Sequence, residues 1–341
     1  MKRRWLLWLL VIAFLWVVIS HVAEIRNLAE ALVQGKGQWV LAAALLQIVY
    51  YLLFTAMYQS AFDAVDVSSR FGELLPVTFA SIFVNVAAPV AGASGVALFV
   101  DDAAQRGQSA ARVSAGTLLV LVADYSAFLL ILVAGLINLS RQHDLTGYEI
   151  AGGLALLAIT GGLTGVLALG LVRSAGLHRL LDWVQRAVNR VAGWFRRGPV
   201  LGDDWGAKNA GEFAAAATAI AAHPWRVGRT LTTALAMHLV GLISLYVLFL
   251  AFYQPIGLGV LVAGFAMGTL FWIVAITPQG IGVVEGVMAL VYTSLHVPAA
   301  KATAIALAYR GLSLWLPLAI GFILLRRVRS FGAKAHSGTP A

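Results

Sequence analysis

The chain has 341 residues, of which 60% are hydrophobic and only 11% charged, and its mean hydropathy is +0.86. Soluble domains carry about 25% charged residues, so the composition excludes a soluble globule and describes a polytopic membrane protein of all-α class. There are no cysteines, which removes disulfides, thiolate metal sites and cysteine nucleophiles.

In chain order, Lys2, Arg3 and Arg4 precede an apolar run at residues 5–20. No small-residue cleavage site follows it, so it reads as a retained first span rather than a signal peptide. Residues 21–38 form a charge-balanced loop, and residues 39–62 make the second span, carrying Gln47, Tyr50, Tyr51 and Tyr58. Tyr50 and Tyr58 read as packing or interface residues. Residues 74–100 are apolar but broken by Asn85-Val-Ala-Ala-Pro89-Val-Ala-Gly-Ala-Ser-Gly95, and end at Asp101-Asp102. Residues 112–138 span with Asp124 inside them, and residues 149–172 span without internal charge.

Residues 173–229 are the long extramembrane segment, with nine Lys/Arg against four Asp/Glu. Within them, residues 178–195 alternate apolar and basic side chains at helical spacing, as an amphipathic helix on a membrane surface or a solvated connector helix would. Residues 230–252 span with His238 inside, a residue that reads as packed or hydrogen-bonded. Residues 257–276 span next, then residues 283–297, and residues 302–325 form the last span, with Arg310 near its middle. The tail, residues 326–341, has four bases and no acids. The net charge is +9. Its excess base flanks the apolar runs, so anionic lipid is the expected partner and nucleic acid is not. By the positive-inside rule the N-terminus, residues 173–229 and the C-terminus face the cytoplasm of a multi-pass cell-membrane protein. The intervening loops then alternate only if residues 74–107 leave and return to the cytoplasmic side, as two short crossings or a re-entrant hairpin.

The stretch Ile276-Thr-Pro278-Gln-Gly280-Ile-Gly282-Val-Val-Glu285-Gly286 puts Pro, Gly and a carboxylate where hydrocarbon should be. Pro removes a backbone donor and Gly loosens the helix, and a charge at that depth costs about 2.5–3.5 kcal/mol on insertion scales. A shift of 189 residues lays Pro89 on Pro278 and Ala110-Ala111-Arg112 on Ala299-Ala300-Lys301. It also lays residues 39–62 on the span containing His238. These two units, about 39–138 and 228–325 within one transmembrane domain (residues 1–330), read as inverted-topology repeats. Each holds a Pro/Gly-broken short or re-entrant segment, the sequence pointer to a transporter's binding site. Residues 88–95 and 277–286 are therefore expected to face each other near the midplane.

The ionisable residues deep in spans are Asp124, Glu285 and Arg310. A buried Arg310 needs a carboxylate, which Glu285 or Asp124 can supply. The set is either an ion pair that locks the bundle or a site in which Arg310 holds a phosphate and the acids hold a cationic group or a proton. Arg suits phosphate through its planar fork of donors. The expected binding residues are Glu285, Arg310, Asp124, Pro278, Gly280, Gly282, Asn85 and Pro89.

Pro278–Glu285, the Ala-rich stretch 301–308, Tyr309-Arg310 and Trp315-Leu-Pro-Leu-Ala-Ile-Gly321 resemble the membrane region of lysylphosphatidylglycerol synthases. Pro89–Gly95 and Arg106-Gly107 resemble that family's upstream motif, with apolar residues and Asp101-Asp102 where the family has basic ones. The resemblance covers most of the chain. It implies translocation of lipid between leaflets, here in a flippase-like region without the soluble synthase domain that two-part members carry.

Two other classes compete. An intramembrane lipid-phosphate enzyme would want metal ligands or a substantial polar loop, and His143, His178, His223 and His238 form no metal-spaced pair. Asp101-Asp102 reads as a helix-end acid pair. A non-transporting scaffold for a separate synthase could dock it through residues 173–229. No catalytic motif, metal site or cofactor is expected, and no phosphate-binding Gly-rich loop occurs, so ATP is not expected to be used directly. Homo-oligomerisation is left open.

Overall fold

The computed structural model describes residues 19, 22–87, 93–172, 174–194, 202, 205–275, 277–324 and 328, and all regular structure among them is helical. Five of these helices are long and apolar enough to cross a membrane. They are α2 (Gly37–Ala64), α5 (Ala110–Arg141), α6 (Gly147–Val172), α9 (Pro224–Ala251) and the continuous run Ala299–Leu324. That run is α12 (Ala299–Arg310), a π-helical turn (Gly311–Trp315) and α13 (Leu316–Leu324). At 1.5 Å per residue each exceeds the ~30 Å hydrocarbon thickness. The chain is a multi-pass helical membrane bundle.

The centre is the antiparallel pair α2 and α9. At one end the Lys36 N–H donates to the Ala251 carbonyl at 2.9 Å. At the other, Arg226 pairs with Asp66 at 2.8 Å and Arg229 pairs with Asp63. Between them Gln47 Nε2 donates to Ser244 Oγ at 3.3 Å, and Ser244 donates to the Ala43 carbonyl at 3.2 Å. These buried polar groups satisfy one another where no water can.

Two shorter helix pairs fold back on themselves. In α3 (Phe71–Ala87) and α4 (Ala93–Ala104), Arg106 just beyond α4 bonds both Asp102 and Glu73 at the start of α3. The hairpin thus returns to the face it left. In α10 (Leu258–Val274) and α11 (Val283–Ser294), Tyr292 near the end of α11 donates to the Leu261 carbonyl near the start of α10, at 3.3 Å. The expectation for residues 74–107 was two short crossings or a re-entrant hairpin; the helices form a hairpin.

A displacement of 189 residues carries the first residues of α2, α3, α4 and α5 to 226, 260, 282 and 299, and α9, α10, α11 and α12 begin at 224, 258, 283 and 299. Packing follows the same offset: α5 lies on α10, and α13 lies on α3. The correspondence reaches further back than the sequence reading placed it. α1 (Val22–Gln34) packs on α12 as α8 (Trp205–Ala222) packs on α5.

α1 and α8 occupy segments read from sequence as a loop and as connector. Both are rich in strong helix formers. Leu28 and Ala31 of α1 are buried, as are Ala210, Phe213, Ala216 and Ala217 of α8, at the three- and four-residue spacing of one helix face. The amphipathic segment is α7 (Ser174–Trp194), which packs on α8 and α6. It buries Leu177 and exposes Arg179, Trp183, Arg186 and Arg190. Asp102, part of the expected acid pair, is buried and salt-bridged to Arg106, while Asp101 is exposed and accepts from Gln105 at 2.7 Å.

Candidate functional site

α10 ends at Val274, and a single 3₁₀ turn, Pro278–Gly280, stands before α11. The turn is built from left-handed backbone: Gln279, Gly280 and Gly282 have φ of +54°, +68° and +81°. Glycine adopts that conformation without Cβ strain, and Gly282 caps the start of α11. Gln279 has no such freedom and is held instead: Trp272 Nε1 donates to its Oε1 at 3.2 Å, and Arg310 Nη2 donates to its carbonyl at 2.8 Å.

Glu285 lies in the first turn of α11, where the helix dipole favours a negative charge. Its Oε1 accepts from Arg310 Nε at 2.7 Å, with Glu285 7% and Arg310 5% exposed. One guanidinium therefore ties the broken turn, the head of α11 and the end of α12 together. Glu285 Oε2 is buried and has no hydrogen-bond partner among the described residues. Directly after Arg310 the helix widens into the π-turn, and Tyr51 on α2 donates to the Ser313 carbonyl there at 2.6 Å. A π-turn misdirects carbonyls from the regular ladder, and the phenol satisfies one of them.

At the first hairpin, Asn85 Oδ1 accepts from the Gly95 N–H at 2.7 Å. A Cβ on Gly95 would fall on that carboxamide, so glycine is what permits the contact. Most of residues 88–95, Pro89 included, lies outside the described residues.

Residues of both hairpins line one cavity of about 480 Å³. Asn85 and Gly95 line it from the first, Thr277 and Gln279 from the second, and Arg310 and Asp124 from the long helices. Thus Asn85, Asp124 and Arg310 converge on the cavity. Glu285 stands behind Arg310, while Pro278, Gly280 and Gly282 form the turn that presents Gln279.

The sequence offered Arg310 two carboxylates. The geometry gives it Glu285; Asp124 is taken by His238, whose Nε2 lies 2.9 Å from Asp124 Oδ1 and 3.3 Å from the Asp124 carbonyl. His238 is 4% exposed, its ring 5.6 Å from that of Phe128. Tyr50, Tyr58 and Tyr125 line the same cavity as Asp124. Tyr58 is also core, stacked on Phe99 at 4.0 Å, as the packing reading expected. The site thus has two ionisable pairs on one cavity, each made across different helices. The roles of Tyr51 and Gln279 could not be read in advance; His238 is packed and hydrogen-bonded, as expected, but its partner Asp124 was not foreseen. Only the general rule that an intramembrane ionisable group needs a partner pointed toward His238. Among the described residues no three His, Asp or Glu side chains group as a metal site.

The family described as "Lysylphosphatidylglycerol synthase TM region" matches the chain over residues 5–321. No curated protein matches closely enough to count as a relative.

Proposed function

This chain belongs to the family of the lysylphosphatidylglycerol synthase TM region, and from that premise we propose that it is a lipid flippase and not an enzyme. It carries a phospholipid headgroup between leaflets through the cavity between its two hairpins. The supporting observation is that Asn85 and Gly95 of one hairpin, Thr277 and Gln279 beside the other, and Arg310 line one cavity inside the bundle. Non-helical backbone at membrane depth is tolerated where it lines such a space.

Arg310 receives the phosphate. Its guanidinium is held in place by Glu285 and the Gln279 carbonyl, so it does not reorganise on binding. The positive end of α11 lies beside it. Asp124, on the same cavity, is the counter-charge, open to a cationic group or a proton. α2 and its counterpart α9 run antiparallel, and on this reading the two units are inverted repeats. Opening one hairpin and closing the other would carry the site from one face to the other. The face carrying Arg112, Arg226 and Arg229 is the cytoplasmic one, and N- and C-termini are cytoplasmic.

The test is reconstitution in vesicles with a fluorescent phospholipid, reading transfer between leaflets. Arg310→Ala is expected to slow transfer about tenfold or more, the loss of one hydrogen bond to a charged group, with Glu285→Gln slowed less. Equal rates for wild type and both variants overturn the assigned site.

A further inference from the structure

The His238–Asp124 pair plays no part in holding the hairpin turn, yet it lies on the same cavity wall as Arg310. It joins α9 to α5, helices belonging to different units. Both acceptors on His238 Nε2 are oxygens of Asp124, so that nitrogen carries the hydrogen. Nδ1 makes no hydrogen bond among the described residues, and the Asp124 side chain is 14% exposed, toward the cavity. A neutral imidazole beside a carboxylate can accept one more proton, at Nδ1, from cavity water.

We propose that the His238–Asp124 pair is a proton-binding site, and that an anionic phospholipid and a proton cross together. This rests on the flippase reading and names its coupling ion. Charge arithmetic within the cavity carries it. Arg310 and Glu285 sum to zero, so a bound phosphodiester leaves the site at −1. The deprotonated pair adds another −1, and the protonated pair adds none. Two negative charges in one low-dielectric cavity repel, so the lipid favours proton uptake and, reciprocally, the proton favours the lipid.

Tyr50 and Tyr58 of α2 and Tyr125 of α5 line the same cavity, and the ring of Phe265 on α10 stands 6.5 Å from that of His238. α12 contributes Tyr309 and Arg310 to the cavity. Phenols ordinarily ionise near pH 10 and Arg higher still, and the other carboxylate at the site, Glu285, is held by Arg310.

The experiment has two arms. In vesicles holding fluorescent phosphatidylglycerol, a pH difference of one unit is imposed. Wild type should enrich the label in the leaflet on the alkaline side, up to about tenfold for one proton per lipid. His238→Gln and Asp124→Asn should leave it evenly distributed, and Asp124→Glu should restore the bias. Even distribution with a wild type that does exchange lipid between leaflets, or bias surviving in His238→Gln, overturns the proposal.

The second arm needs no transport and no folded Asp124 variant. The chain has seven histidines, and the ¹⁵N imidazole signal of His238 is assigned by its loss in His238→Gln. In wild type it should titrate, and its midpoint should move to higher pH when phosphatidylglycerol replaces phosphatidylcholine in the bilayer. A signal that does not titrate, or is indifferent to the lipid, overturns proton binding. If wild type moves no lipid in the first arm, the flippase reading fails, while this titration still decides the proton site.

Discussion

Arg310 is satisfied by two groups that arrive from different directions, a carboxylate on a helix and a carbonyl on a left-handed turn. Removing it leaves Glu285 charged, buried and unpaired, which costs about 3–5 kcal/mol for such pairs. Arg310→Ala is therefore expected to lower the thermal midpoint in detergent markedly. Arg310→Lys should recover only part of it, because an ammonium cannot reproduce the planar fork across both acceptors. A lysine variant as stable as wild type would show that the Gln279 contact carries nothing. That Arg310 needs a carboxylate was legible in the sequence because it is an isolated charge in an apolar run; that Glu285 supplies it, and not Asp124, took the fold to decide. The His238–Asp124 pair was not legible. A lone histidine in a helix has many bland uses, and 114 residues separate it from its partner.

At the scale of elements, close helix crossings depend on glycines. A Cβ on Gly321 of α13 would overlap the Phe79 carbonyl oxygen of α3. That obstacle is backbone and cannot rotate away. Gly321→Ala should separate α13 from the first hairpin and cost about 1–3 kcal/mol, as overpacking does, read as a lowered thermal midpoint. An unchanged midpoint would show that the crossing has slack. α8 is docked differently, by Glu212, whose Oε2 lies 2.8 Å from Arg112 Nε on α5. The hydrogen bond and charge of Arg112 hold the Glu212 carboxyl below its ordinary range. A depressed carboxylate contributes above its unfolded pKa, and the contribution fades as pH falls through the lower folded value. Amide exchange in α8 should thus stay slow through mild acid and accelerate below it, with Glu212→Gln abolishing that acid step. The long spans were legible from continuous hydrophobicity. α1 and α8 were not, because their buried faces are narrow, alanine-rich and partly charged at the rim, so a reading tuned to apolar runs passes over them.

For the whole molecule, the absence of cysteine makes every introduced thiol a unique probe. Lys36 and Ala222 are exposed near opposite ends of the α2–α9 pair. In intact cells, Lys36→Cys is expected to react with an impermeant maleimide and Ala222→Cys only after the membrane is opened; the reverse pattern would invert the orientation. The 189-residue offset could be glimpsed from two aligned landmarks, but not that the starts of four helices follow it. Low identity hides an offset that helix boundaries preserve, since the bilayer constrains lengths and breaks more tightly than it constrains apolar identities. The way the halves pack has a further consequence. Each hairpin is roofed by the long helix of the other half, α3 by α13 and α10 by α5. The two halves clasp each other like crossed forearms. Neither half covers its own hairpin alone, so neither is a self-sufficient folding unit, and the bundle should come apart in one cooperative step with no half-folded survivor.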